Sequence, residues 1–225
     1  NVYDYSLGNP SIPSPDYVNQ SIRDVLDQMD SLAIHGYTSA VGDFAARAAI
    51  AEDLNNRYSA GVCPEDLFIG CGAAPELCAV FSALAVPGAE ILAVAPYFPE
   101  YKPFVESAGA VFKVVPPDVP NFQIDLAAVE AMLTPNTQAI IVNSPNNPSG
   151  VVYSRQTLEK LAAILTEKSV AYGHPIYLIS DEPYRELAYD GAVVPWLTKY
   201  YKNTVVCYSW SKSLSLPGER IGYLC

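Results

Sequence analysis

The chain has 225 residues, of which 50% are hydrophobic and 16% are charged, so it can bury a sizeable core. Its formal net charge of −11 argues against nucleic-acid binding, because an acidic protein repels a phosphate backbone, and no apolar run is long enough to span a bilayer. With five cysteines, two histidines and no C-x-x-C pair, we expect neither a disulfide framework nor a metal site but reduced thiols in a cytoplasmic protein.

Short apolar segments alternate with helical patterns along the chain. The predicted helices are, in chain order, Asp16–Asp30, Asp43–Tyr58, Glu76–Ala85, Leu126–Leu133 and Arg155–Tyr172. The predicted strands are Leu67–Ile69, Ile91–Val94, Val111–Val115, Ala139–Val142, Ile176–Ser180, Val205–Tyr208 and Ile221–Leu224. Most strands are apolar at successive positions, as strands buried on both faces are. The alternation predicts an α/β fold, with a mostly parallel seven-stranded sheet and helices on both faces in three layers.

The chain is expected to divide near residue 30. Residues 1–30 are predicted to form a Pro-rich arm and a first helix, and residues 31–225 one large domain. The sequence stops at Cys225, inside a predicted strand, so we expect it to be a fragment of a longer protein.

The first two predicted strands end in segments that could bind a ligand, since open α/β sheets bind ligands beyond the carboxyl ends of their strands. GCGAAPEL is a glycine turn leading into a helix, where the amides of Gly72, Ala73 and Ala74 could hold an anion. Phe98, in PYFPEY, could stack on a flat ligand. On these residues alone, an ordinary turn is the favoured interpretation of GCGAAPEL, and core packing explains PYFPEY equally well.

The later strand ends carry groups that ionise or donate hydrogen bonds. NSPNNPSG is a tight turn whose Asn147 could donate to a ligand oxygen, and its prolines indicate cis bonds. Asp181 and Tyr184, in SDEPY, place an acid and a phenol at one rim, although an N-cap Asp beside a surface Tyr has the same pattern. A partly desolvated lysine can attack a carbonyl, and SWSKSLSLPGERIGY places one among polar residues: Ser209, Ser211, Lys212 and Arg220.

Each of these segments also has a purely structural interpretation, but together they indicate one ligand. They supply an amine, an acid, a phenol, amides, an aromatic plate and an anion cradle. Pyridoxal phosphate needs this whole set, because it has an aldehyde, a pyridine nitrogen, a phenolic oxygen, a flat ring and a phosphate.

The same segments resemble the class I/II aminotransferases, which are pyridoxal-phosphate enzymes of fold type I. SWSKSLSLPGERIGY is similar to their cofactor-lysine signature, NSPNNPSG to their N-x-P-x-N-P-[TS]-G turn, and SDEPY to their D-E-x-Y stretch. HGYTSAVGDFAARAAIA is similar to the region where a tyrosine, a glycine and an arginine recur before a helix. The arm, SLGNPSIPSP, resembles that of single-chain bacterial aspartate and aromatic aminotransferases. The resemblance covers nearly the whole chain and implies the large domain of that fold.

The resemblance implies a role for each candidate site residue. Lys212 would form the Schiff base with the cofactor and shuttle a proton to and from the substrate Cα, and Asp181 would pair with the pyridine nitrogen. Tyr184 and Asn147 would bind the phenolic oxygen, Asn147 would also border the substrate, and Phe98 would stack on the ring. The phosphate would be held by Gly72, Ala73, Ala74, Ser209, Ser211 and Arg220. Tyr37 would reach the phosphate from a neighbouring subunit, which implies a homodimer, and Gly8 would lie beside the substrate.

The sequence departs from the family pattern in two places. Where the phosphate loop often carries a Ser, Thr or Gln side-chain donor, this chain has Ala73-Ala74, then Pro75, which lacks an N–H, and the acidic Glu76. The small C-terminal domain, which carries the arginine that binds the substrate carboxylate, is expected to be absent from this chain. Cofactor residues are therefore expected here without the complete substrate site.

The leading hypothesis is an aminotransferase that exchanges an amino group between an amino acid, nominally aspartate or an aromatic one, and a 2-oxo acid by a ping-pong mechanism. A pyridoxal-phosphate C–S lyase is a second hypothesis, and a cofactor-sensing domain of a transcription regulator a third. A Schiff-base aldolase on a barrel is disfavoured, because it would need neither the Asn-Pro turn nor the phosphate loop.

Overall fold

In the computed structural model, which describes residues 8–225, seven strands form one sheet in the order β1-β7-β6-β5-β4-β2-β3. The strands are β1 (Phe68–Gly70), β2 (Glu90–Val94), β3 (Val111–Val115), β4 (Thr137–Asn143), β5 (Tyr177–Asp181), β6 (Thr204–Ser209) and β7 (Gly222–Leu224). The strands from β2 to β6 pair in parallel, and β7 pairs antiparallel with both β1 and β6. The predicted mostly parallel, seven-stranded sheet is therefore confirmed.

Eight α-helices accompany the sheet within the described residues. They are α1 (Asp16–Gln28), α2 (Ser31–His35), α3 (Phe44–Tyr58), α4 (Ala73–Leu84), α5 (Tyr101–Ser107), α6 (Leu126–Met132), α7 (Arg155–Tyr172) and α8 (Trp210–Ser213). Two short 3-10 turns lie at Pro64–Asp66 and Leu197–Lys199. None of these helices is both long and apolar enough to cross a lipid bilayer.

Alternate residues of the central strands face opposite helical layers. Leu92, Ile140 and Leu178 pack on one face of the sheet with α6 and α7. Their neighbours Ile91 and Ile141 pack on the other face with α4 and α5. A strand buried on both faces must be apolar at successive positions, which is why these strands lack an alternating polar pattern.

The helix boundaries follow local chemistry, and the start of α4 differs from the sequence-based expectation by three residues. Ser154 and Asp125 cap α7 and α6 by accepting hydrogen bonds from backbone N–H groups three residues on. The helix predicted to begin at Glu76 begins at Ala73 instead, because Pro75 is tolerated in a first turn whose N–H groups have no intrahelical partner. The short helices α2, α5 and α8 were not predicted, since each is too short to show a helical period.

Candidate active site

A cavity of about 200 Å³ opens beyond the carboxyl ends of β4, β5 and β6 and beside the start of α4. It is lined by Ala73, Ala74, Leu77, Phe98, Asn143, Asn147, Asp181, Pro183, Tyr184, Ser209, Ser211, Lys212, Pro217 and Arg220. The parallel strands bring these residues together because their carboxyl ends meet at one edge of the sheet. Of the residues that the sequence indicated, only Gly8, Tyr37 and Gly72 are not among those lining the cavity.

Lys212 lies on α8, the short helix that directly follows β6. Ser209 ends the strand and caps this helix, and its hydroxyl accepts a hydrogen bond from the N–H of Ser211 at 3.2 Å. The Lys212 side chain is half-buried, and its Nζ donates to the backbone oxygen of Gly8 at 2.7 Å. The arm glycine therefore lies directly beside the lysine amine, although more than 200 residues separate them in the chain.

Asp181 ends β5 with its carboxylate almost fully buried. Its Oδ2 accepts a hydrogen bond from the hydroxyl of Tyr101 at 2.5 Å, while its Oδ1 has no partner among residues 8–225. Burial raises the pKa of Asp181 to about 7, against the opposing effect of the Tyr101 hydrogen bond. A buried carboxylate oxygen that lines a cavity and lacks a partner favours a ligand that presents a cation or a hydrogen-bond donor.

The Asn-Pro turn follows β4, and hydrogen bonds link it to the end of β5. The side chain of Asn143 accepts from the N–H of Asn147 at 2.6 Å and donates to the backbone oxygen of Asp181 at 2.8 Å. Asn147 Nδ2 donates to the hydroxyl of Tyr184 at 3.2 Å. The Ser144–Pro145 and Asn147–Pro148 peptide bonds are cis, as the sequence indicated. The turn thus places an amide and a phenol side by side at the rim.

The anion cradle is formed by the start of α4, Arg220 and Ser209. Gly72 is the N-cap of α4 with φ 93°, and a Cβ at this position would lie 2.9 Å from Arg220 Nη2 and 3.6 Å from Ser209 Oγ. A side chain at Gly72 would therefore collide with the arginine that the cradle needs. Arg220 is fixed in turn by donating to the backbone oxygen of Pro217 at 2.9 Å. Unpaired helix N–H groups beside a guanidinium form an anion site.

Tyr37 is the candidate whose side chain the fold leaves most exposed to solvent. Its side chain is fully exposed, with a relative accessibility of 111%, and it does not line the cavity. The role that the resemblance implies for Tyr37 requires a second subunit, so it stays a prediction.

Sequence reasoning missed three polar residues at or beside the cavity: Tyr101, Asn143 and, as a buried group, Glu76. Asn143 ends a strand, so its position carried a usable signal. Tyr101 begins α5 and reaches Asp181 across 80 positions of sequence, and no local pattern indicates that contact.

Replacing Tyr101 by phenylalanine should raise the pKa of Asp181 above its wild-type value. The change removes a hydrogen bond to a carboxylate, and such bonds contribute about 1.5–3 kcal/mol. The pKa can be followed by NMR titration of labelled aspartate side chains. Tyr97→Phe is a matched control, because it removes a hydroxyl from the ring that stacks on Tyr101 and leaves the bond to Asp181 intact. Equal pKa values in wild type and Tyr101→Phe would show that this hydroxyl does not tune the acid.

The comparison with protein families gives one match over the whole chain. The family "Aminotransferase class I and II" matches residues 1–225. Among curated relatives, the chain is 34% identical over 222 residues to a probable aspartate/prephenate aminotransferase of Thermus aquaticus, covering 98% of this chain and 55% of that protein. It is 33% identical to an aspartate aminotransferase of Thermotoga maritima, covering 99% of this chain and 57% of that protein.

Solved structures show the same likeness in three dimensions. An amino transferase from Eubacterium rectale superposes with a TM-score of 0.97 at 55% identity, covering all of this chain and 56% of that chain. Aspartate aminotransferase from Thermus thermophilus, in a structure with maleate, gives a TM-score of 0.88 at 32% identity, covering 97% of this chain and 55% of that chain. The chain thus spans a little over half the length of the relatives it matches. The family match, the fold and the residues around the cavity agree, and the chain belongs to the class I and II aminotransferase family.

Proposed function

We propose that the protein is a pyridoxal-phosphate-dependent aminotransferase that transfers an amino group between an amino acid and a 2-oxo acid. The observation that carries this proposal is the meeting of Lys212, Asp181 and the Arg220 cradle in one cavity. These three groups come from different strand ends, and an amine, a buried acid and an anion cradle in one cavity match the functional groups of this cofactor. The names of the relatives support the reaction class.

The residues around the cavity fit the cofactor group by group. The unpartnered Oδ1 of Asp181 would accept a hydrogen bond from the protonated pyridine nitrogen. Asn147 and Tyr184 would bind the ring oxygen, and Phe98 would cover the ring. The phosphate would be held by the amides of Ala73 and Ala74, by Ser209 and Ser211, and by Arg220, with Gly72 allowing the close approach.

When bound, pyridoxal phosphate supplies an electron sink for the electron pair left when the substrate Cα–H bond breaks. Lys212 Nζ would accept the proton from the substrate Cα and return it, which requires the amine to be neutral for part of the cycle. Asp181 would stay ionised beside a positive nitrogen, because an opposite charge lowers the pKa that burial has raised. The Tyr184 hydroxyl would stay protonated and donate, since burial and the nearby Asp181 raise its pKa.

The proposal extends to a homodimer in which Tyr37 reaches the phosphate of the partner's site. Support comes from the N-terminal part of the described chain, where large apolar side chains are exposed: Ile22, Leu26, Met29, Leu32, Tyr37 and Phe44. Apolar side chains clustered in one segment are typical of a surface that another protein surface covers. We further propose residues 31–225 as the cofactor-binding domain, with residues 1–30 as an arm and first helix.

The substrate proposal is an acidic or aromatic amino acid. The Thermus aquaticus relative is named for aspartate and prephenate, and the Thermotoga maritima relative for aspartate. The Thermus thermophilus enzyme was solved with the dicarboxylate maleate. We therefore expect activity with aspartate and a 2-oxo acid to exceed activity with aliphatic amino acids.

The visible absorption spectrum in the presence of pyridoxal phosphate tests the proposed function. Wild type should show a band that borohydride abolishes, after which the peptide containing Lys212 should carry the mass of the reduced cofactor. Lys212→Ala should lack both signals, and Lys160→Ala, a change at an exposed lysine on α7, should keep them. Wild-type protein without the band, or the same band in Lys212→Ala, would contradict the proposal. Release of pyruvate and ammonia without a 2-oxo acid would instead indicate a lyase.

A further inference from the structure

A second buried acid, Glu76, lies behind the anion cradle and has no role in the reaction described above. It sits in the first turn of α4, and only 4% of the residue is exposed. Neither carboxyl oxygen has a hydrogen-bond partner among residues 8–225. Most buried carboxyl groups are paired, so an unpaired one beside a ligand site requires a physical explanation.

The carboxyl group of Glu76 occupies a slot that glycines leave open. A Cβ on Gly70 would lie 2.7 Å from Glu76 Oε1, and a Cβ on Gly222 would lie at the same distance of 2.7 Å from that atom. The Gly222 Cβ would also lie 3.0 Å from the Cα of Gly72, the residue that caps α4. The acid is thus enclosed by the backbones of β1, β7 and the cradle loop.

Three ionisable groups face Glu76 from the elements around it. They are Asp181 at the end of β5, Arg220 before β7 and Cys207 on β6. Burial, reinforced by the charge of Asp181 and opposed by Arg220, raises the pKa of Glu76 to about 8. Burial also raises the pKa of the Cys207 thiol, so Cys207 stays neutral. Near neutral pH the slot therefore holds a neutral acid, and at higher pH it holds a negative charge.

We propose that Glu76 is a positioning residue that sets the affinity of the cradle for a dianion, with its neutral form leaving Arg220 to the ligand and its ionised form competing for Arg220. The inference rests on the proposed function, because it assumes that a phosphate group occupies the cradle. In the ionised state Glu76 would also repel the dianion directly, since both would be negative and a buried charge is weakly screened.

Sulfate is the probe, because it remains a dianion throughout the pH range of the experiment and therefore neither gains nor loses a proton itself. Its affinity for the full chain can be measured by calorimetry from about pH 7 to about pH 9, in wild type and in Glu76→Gln. We expect the wild-type dissociation constant to rise about tenfold more over this range than that of the variant. Asp181 is present in both proteins, so its ionisation contributes to both curves. Glu106→Gln, at an exposed acid on α5, removes the same negative charge that Glu76→Gln removes at the alkaline end of the range, and it should follow wild type.

The outcomes separate this inference from the proposed function. Sulfate binding with parallel pH curves would overturn the role of Glu76 and leave the cradle in place. No sulfate binding to wild type at any pH would overturn both. If Glu76→Gln does not fold, Asp181→Asn decides, because it removes the other buried acid beside the cradle. Sulfate binding to this variant near pH 8 should still take up a proton, which calorimetry in two buffers detects. Absence of that uptake would overturn the inference.

Discussion

Replacing Arg185 by alanine is expected to lower the free energy of unfolding by about 3–5 kcal/mol, because it leaves Glu182 as an uncompensated buried charge. Arg185 Nε lies 2.5 Å from Glu182 Oε2, and both side chains are almost fully buried. Arg185 also donates to the backbone oxygens of Val194 and Pro195, each at 3.0 Å. Its guanidinium stacks over the Trp196 ring at 5.0 Å. Chemical denaturation followed by fluorescence measures the loss.

Arg57→Ala is the matched control for this prediction. Arg57 forms two ion pairs, with Asp53 at 3.1 Å and Glu186 at 3.2 Å, but its side chain is 43% exposed. Exposed pairs contribute little, so we expect a loss below about 1 kcal/mol. Equal losses in the two variants would show that burial does not set the strength of the Arg185 interaction.

Asp181→Asn is expected to lower kcat/KM by about three orders of magnitude, if the proposed function is correct. Asparagine keeps the shape of the side chain but removes the negative charge that would hold a proton on the pyridine nitrogen. Steady-state kinetics with aspartate and a 2-oxo acid measure the effect, and Glu52→Gln, at an exposed acid on α3, is the control. Unchanged kinetics in Asp181→Asn would remove this residue from the proposed mechanism.

The same variant should be more stable than wild type at alkaline pH when no ligand is bound. The pKa of Asp181 is raised from 3.8 to about 7 in the folded protein, so between these values the folded state binds more protons than the unfolded state. Wild-type stability therefore falls as pH rises through this window, and Asp181→Asn lacks that fall. The difference in stability between Asp181→Asn and wild type should shrink as the pH falls towards 3.8, the pKa of Asp181 in the unfolded chain. A substitution that lowers activity but raises stability is expected where a buried charge is kept for binding a ligand.

Local patterns predicted most of the fold and most of the candidate residues that line the cavity. Continuous apolar runs indicated the parallel strands, and Ser154 and Asp125 indicated helix starts, because capping depends only on residues within one turn. The helix α5 was missed because its seven residues cannot establish a helical period. The start of α4 was misplaced because Pro75 favours a first helical turn as much as a break before one.

By itself, then, the sequence determined which polar residues lie at or just beyond the strand ends and that one edge of a parallel sheet would collect them. That was enough to predict that Lys212, Asp181 and Asn147 lie together at one cavity. Only the tertiary structure decided the environment of each group. Tyr101 reaches Asp181 across 80 residues, and the slot around Glu76 exists because β7 inserts between β1 and β6. Strand order and burial arise from long-range packing, and it is burial, not residue type, that raises the pKa of Asp181 and of Glu76.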